Sequence, residues 1–143
     1  MMKRIQFKRG EAGFTLLELL VVLAIMGLLA AIIAPQVLKY LGSSRTQTAR
    51  VQIQNVTAAL ELFRLDVGRY PTPAEGLDAL VTAPSTAPGW NGPYLRKLSA
   101  LHDPWGQAYL YKDPGQHGEV DVYTLGSDKT EGGTGEAQDV GNW

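Results

Sequence analysis

From Leu19 to Ala34 the chain carries no polar side chain at all. The apolar character extends back to Phe14, with Thr15 and Glu18 the two interruptions. At ~1.5 Å rise per residue, a helix over Phe14–Ala34 is roughly 31 Å long, enough to cross the hydrocarbon core of a bilayer. Lys3, Arg4, Lys8 and Arg9 precede it against one acid, Glu11. That bias places the N-terminus on the cytoplasmic side and everything after the span on the other. A membrane anchor therefore constrains the rest of the chain.

Glu18 is the anomaly. An acid at the centre of a span is unfavourable by ~2.5–3.5 kcal/mol, and somewhat less near an interface. Either Glu18 snorkels to the headgroups or it is kept because it meets a partner. The leader does not read as a secretory signal. It is short and polar, and its apolar run follows a Gly13-Phe14 junction instead of preceding a small-residue cleavage site.

A short basic leader ending in Gly13, then Phe14-Thr15-Leu16-Leu17-Glu18, resembles the class III signal of type IV pilins and pseudopilins. The resemblance implies that a prepilin peptidase cuts between Gly13 and Phe14 and that the new amino terminus is N-methylated at Phe14. It implies that Glu18 then pairs with the Phe14 amine of a neighbouring subunit. Residues 1–13 would be leader, 14–35 the transmembrane and assembly helix, and 36–143 a periplasmic globular domain that includes the second half of the long helix.

At 143 residues there is room for one domain beyond the anchor, with a modest core. Cutting after Gly13 leaves 9 Lys+Arg against 13 Asp+Glu, a net charge of −4 against −1 for the whole chain. No basic cluster survives, so nucleic acid is not the expected partner. There is no cysteine, which removes both disulfides and thiol chemistry.

Pro35 should kink or loosen the helix, and Gly42-Ser43-Ser44 is a second weak point. From Thr46 to Val67 the helical pattern is strong. Ala49, Ile53, Val56, Leu60, Phe63 and Val67 line one face, and Val51, Ala58, Leu62 and Leu65 the opposite one. Two apolar faces need two partners. The helix is either buried inside its own domain, or it offers one face to that domain and one to neighbouring helices. The period near 3.5 lasts only about three turns, too short for a coiled coil.

Gly68 is placed to end the helix. Beyond it a short helix is expected over Ala74–Val81, and a Pro/Gly/Ser/Thr-rich loop from Thr82 to Pro93 pinned by Trp90. Asp103-Pro104-Trp105-Gly106 reads as a turn, with Trp105 filling space under the helix. Tyr109–Tyr111 and Val120–Leu125 read as strands, and Tyr94-Leu95 as the start of another. Tyr70-Pro71-Thr72, Glu75-Gly76-Leu77, Gly92-Pro93-Tyr94-Leu95, Asp103–Gly106 and the closing Gly141-Asn142-Trp143 are similar, in order and spacing, to the major pseudopilins of type II secretion systems. That implies an α+β, pilin-like fold: a long N-terminal helix on a small antiparallel sheet with a C-terminal loop.

The stretch from Leu125 to Asp139 is dense in glycine and acids, and regular structure is not expected there. It is either a solvated acidic loop or one tied by a hard cation, since Ca²⁺ takes six to eight oxygens and glycines let carbonyls turn inward. The EF-hand pattern does not fit, because Thr130 stands where that loop wants Asp or Asn. The resemblance implies calcium, with Asp128 as first aspartate and the Leu125 carbonyl before it. Gly135 and Ala137 stand where the family usually carries Asp, leaving Glu136 and Asp139 as the nearby acids.

His102 and His117 fall in loops without a serine, cysteine or carboxylate at catalytic spacing, and no phosphate loop or zinc spacing occurs. A lone loop histidine is ordinarily just solvated. An enzyme is the least supported class on these grounds, and none is expected. The resemblance implies a subunit of the inner membrane that polymerises through its N-terminal helices into a periplasmic pseudopilus for export of folded proteins. Minor pseudopilins and an inner-membrane assembly platform would be its further partners. The alternative is a type IV pilin or minor pilin of a surface fibre.

Overall fold

The computed structural model describes residues 13–143; the basic leader with Lys3, Arg4, Lys8, Arg9 and Glu11 lies outside the described residues. Two compact units divide the chain between Leu38 and Lys39. In the first, every residue from Gly13 to Leu38 is exposed, as a membrane-embedded helix would be with no lipid or neighbour around it. The second, Lys39–Trp143, holds the core.

Helix α1 runs unbroken from Leu16 to Val67, 52 residues, with Pro35 inside it. Neither Pro35 nor the Gly42-Ser43-Ser44 stretch ends it. The proline removes a single N–H donor from a ladder that is long on both sides. At the second weak point, hydroxyls satisfy local carbonyls: Ser43 Oγ donates to Tyr40 O at 2.9 Å and Thr46 Oγ1 to Gly42 O at 3.2 Å. Gly68, at φ 84°, ends the helix and donates its N–H to Arg64 O at 2.8 Å.

The core forms on one face of α1. Ala49, Ile53, Val56, Leu60 and Phe63 are buried as the periodicity requires; of these Ile53, Val56, Leu60 and Phe63 pack with Leu80, Leu101, Tyr109, Val122 and Val140. Polar atoms entering this region find partners. Tyr109 Oη donates to Gln52 Oε1 at 2.6 Å, and Trp90 Nε1 to Ala79 O at 2.8 Å, which pins the 82–93 loop as expected. Trp105 does not fill the space under the helix. It is half-buried outside the core cluster, because the aliphatic side chains of the turns and sheet already occupy that volume.

Strands β1 (Leu110–Lys112), β2 (Asp121–Thr124) and β3 (Val140–Gly141) make an antiparallel sheet in the order β1-β2-β3. Tyr111 faces Val122, and Tyr123 faces Gly141. β3 was not expected, since two residues carry no periodicity. Tyr94-Leu95 is not a strand: both N–H groups converge on Leu80 O, at 2.8 and 3.0 Å. The expected helix over Ala74–Val81 contracts to one 3₁₀ turn, Leu77–Leu80. The Asp103–Gly106 turn is as expected. Asp103 is buried, accepts from the N–H groups of Trp105 and Gln107 at 3.0 and 2.8 Å, and receives the Thr124 hydroxyl.

Candidate functional site: the helix surface and the C-terminal loop

At the start of the chain described here, Gly13 and Phe14 are exposed and non-helical. Thr15 caps α1, its Oγ1 accepting the Glu18 N–H at 3.2 Å. Thr15-Leu16-Leu17-Glu18 thus has the spacing of a capping box, a signal present in the sequence but overlooked there. The junction Gly13-Phe14 therefore sits just ahead of a capped helix end. Glu18 lies in the first turn, exposed, and among the described residues no group hydrogen-bonds its carboxylate.

Further along α1, the two faces have different fates. Phe63 is 0% exposed, whereas its chain neighbour Leu62 is 51% and Leu65 76% exposed. Val51 and Ala58 are exposed as well, so among the described residues the whole second stripe lies outside the core cluster. Charge borders it. Arg64 sits 3.0 Å from Glu61 and 2.8 Å from Glu119, and Tyr70 Oη donates to Glu61 at 2.6 Å. Beside this, Arg69 grips Glu75 with two hydrogen bonds of 2.7 and 2.8 Å. The Arg69 guanidinium, with the Thr86 and Thr72 groups, outweighs burial and holds the Glu75 carboxyl well below the usual carboxylate range.

The C-terminal loop is better ordered than its composition suggests. It contains two 3₁₀ turns, Gly126–Asp128 and Gly135–Ala137, where no regular structure was expected. Of the four candidate calcium ligands, Asp128 Oδ1 accepts the Thr130 N–H at 3.1 Å, and Asp139 Oδ2 the Gly132 N–H at 2.9 Å. Among the described residues, Asp139 Oδ1 is enclosed without a partner. Leu125 and Asp139 line one cleft with Glu131. Glu136 does not join them. Its carboxylate is turned onto α1, near Gly42 and 3.9 Å from Arg45. Among the described residues no three acid or histidine side chains gather closely enough to hold a metal. Asp128, Asp139 and the Leu125 carbonyl supply few of the oxygens that calcium takes, and the acid meant to complete them faces elsewhere.

His117 is not merely solvated. Its ring stacks on Trp143 with centroids 3.8 Å apart, and its Nδ1 lies 3.1 Å from Asp121 Oδ2. Burial works to raise the Asp121 carboxyl, but the Gln116 and His117 donors prevail and hold it below its ordinary value. No nucleophile stands in this group. It is a clasp between the closing Trp143 and the sheet.

The arrangement is thus an apolar span bearing an acid, a capped start after a Gly-Phe junction, and a half-covered helix on a small sheet. Residues 36–143 match the family described as type II secretion system (T2SS), protein G, and residues 8–34 match the prokaryotic N-terminal methylation motif. The type II secretion system core protein G of Pseudomonas aeruginosa is 42% identical over 140 residues, covering 95% of this chain and 97% of the relative. That of Vibrio cholerae is 43% identical over 138 residues, covering 94% and 93%. The crystal structure of the major pseudopilin from the type 2 secretion system of enterohaemorrhagic Escherichia coli superposes with a TM-score of 0.60 at 32% identity, covering 70% of this chain and 83% of that one. By its matched residues, its relatives and its fold, the chain belongs to the type II secretion system protein G family.

Proposed function

We propose that this chain polymerises through α1 into a periplasmic pseudopilus that drives export of folded proteins, and that it is a structural subunit and not an enzyme. The observation that carries this reading is the exposed stripe Val51, Ala58, Leu62 and Leu65, on the same helix as the Glu18-bearing apolar segment. A monomeric tethered protein has no use for an apolar stripe facing water, nor for a carboxylate within its anchor.

A prepilin peptidase removes residues 1–13 and N-methylates Phe14. Until it is drawn from the inner membrane, the subunit has its N-terminus cytoplasmic and residues 36–143 periplasmic. The Phe14 amine and the Glu18 carboxylate of a neighbour neutralise one another in low dielectric, which rewards assembly over dispersal in lipid. Minor pseudopilins and the inner-membrane assembly platform are the partners that start and drive the polymer. Fibre formation in cells overproducing Glu18→Ala, viewed by electron microscopy, tests this. The variant should insert and be cleaved, yet give no fibres. Normal fibres would remove the charge pair from the mechanism.

A further inference from the structure

The acidic loop after β2 has to be held by something, and its own residues hold it at four places. Where it begins, Gln107 Nε2 donates to Gly126 O at 2.8 Å and the Gly126 N–H reaches Thr124 Oγ1 at 3.3 Å. Gly126, at φ 71°, lies so close to the Gly135–Ala137 turn that a Cβ there would come within 2.6 Å of Glu136 O. In the middle, Asp139 accepts from Gly132 at 2.9 Å. At the end, Asn142 exchanges hydrogen bonds of 3.1 Å with Val122 while its side chain also donates to Val120 O.

The fourth tie is to the helix. Gly42 is buried although it stands on the helix surface, and what buries it is Glu136. A Cβ at position 42 would lie 2.6 Å from Glu136 Cγ and 2.9 Å from its Oε1, so the glycine is the seat of that side chain. One turn on, the Thr46 hydroxyl lies 3.2 Å from both Gly42 O and Gly135 O and shares its one proton between them, and Arg45 stands 3.9 Å from the Glu136 carboxylate. The Arg45 pair is exposed and adds little; the fit of Glu136 into the Gly42 seat is the specific contact.

We propose that this loop closes on α1 through protein groups alone, with Glu136 seated on Gly42 as a latch where relatives of the fold would use a metal ion. The donor set supports this. Glu136 is committed to the helix, Ala137 offers no side-chain oxygen, and among the described residues one oxygen of Asp139 is left enclosed and unpaired.

Lys129 is the sole lysine or arginine between Leu125 and Trp143, so trypsin reports on loop opening at a single bond. The test uses the mature full-length protein in detergent micelles, with cleavage after Lys129 followed by mass spectrometry in millimolar calcium and in EGTA. Native protein should be cut at the same rate in both. Glu136→Ala and Gly42→Leu should each be cut about fivefold faster or more in EGTA, because cleavage samples the opened loop. Both substitutions lie outside the core, and leucine is a good helix former, so an intact far-UV spectrum is expected for each. The proposal is overturned if EGTA accelerates cleavage of the native chain about fivefold, or if both variants are cut at the native rate.

Discussion

Leu62 and Phe63 are adjacent in the chain and, ~100° apart around α1, fall on different faces, so substituting each separates assembly from folding. Phe63 is fully buried against Tyr94, their rings 5.7 Å apart edge to face. Phe63→Ala should lose ~3–5 kcal/mol of stability. For a domain near 100 residues, each kcal/mol is worth ~4–8 °C in Tm, so melting should fall by more than ~12 °C. Leu62 is 51% exposed and lies outside the core cluster. Glu fits a helix almost as well as Leu, and the like charge it places one turn from Asp66 costs a few tenths of a kcal/mol. Leu62→Glu should therefore stay within ~0.5 kcal/mol of the native chain, or about 4 °C.

The filament reverses the ranking for Leu62. Covering the remaining half of a leucine contributes ~1 kcal/mol per contact, taken as half of a full burial. Placing an unpaired carboxylate in that contact adds a further ~1–3 kcal/mol of desolvation. A loss of roughly 2–4 kcal/mol per subunit raises the concentration needed for assembly at least ~30-fold. Differential scanning calorimetry of both variants, with electron microscopy of fibres across an expression series, measures the two effects side by side. The reasoning fails if Leu62→Glu melts as low as Phe63→Ala, which would make the stripe part of the core. It fails equally if Leu62→Glu forms fibres at native levels.

Two further outcomes follow from the processing junction and from the Arg69–Glu75 pair. Intact-mass analysis of membrane-extracted protein should give a chain beginning with N-methyl-Phe14; a mature terminus at Met1, or anywhere beyond Phe14, contradicts the processing step. The Glu75 carboxyl is depressed in the folded state from an ordinary value of 4.5, so its contribution is full above that pH and is lost as pH falls toward the folded value. The Tm gap between native protein and Glu75→Gln should accordingly narrow between neutral pH and about pH 3, and a constant gap would show that the Arg69–Glu75 pair is not what acid removes.

Much of this was legible because it rests on periodicity and punctuation. The buried face from Ala49 to Phe63 and the exposed face from Val51 to Leu65 both follow from spacing along a helix. Gly68 ends that helix because its φ of 84° suits a residue without Cβ. The anchor with its internal acid was plain for the same reason: apolar length and one misplaced charge are local properties. Pro35 stays inside α1, since the helical ladder is long on either side of it. Tyr94-Leu95 misled. Two apolar residues can turn their N–H groups to one carbonyl as readily as to a strand, and only the position of Leu80 decides.

The destination of Glu136 could not be read at all, and the reason is instructive for acidic loops. In sequence, Asp128, Glu136 and Asp139 form one cluster, and a cluster of acids in a glycine-rich loop suggests a shared cation. Whether they converge depends on where each glycine turns the chain. Gly126, Gly133 and Gly135 all adopt positive φ, and Lys129 does so without being a glycine. Each reversal redirects the side chains that follow, so acids a few residues apart end on different sides of the loop. Glu136 falls on the side of α1, and the residue that receives it, Gly42, is some ninety positions earlier. From the sequence Gly42 reads as a weak point of the helix. In the fold it is the gap that admits a side chain from the far end of the chain, and a helix former at that position would fill it.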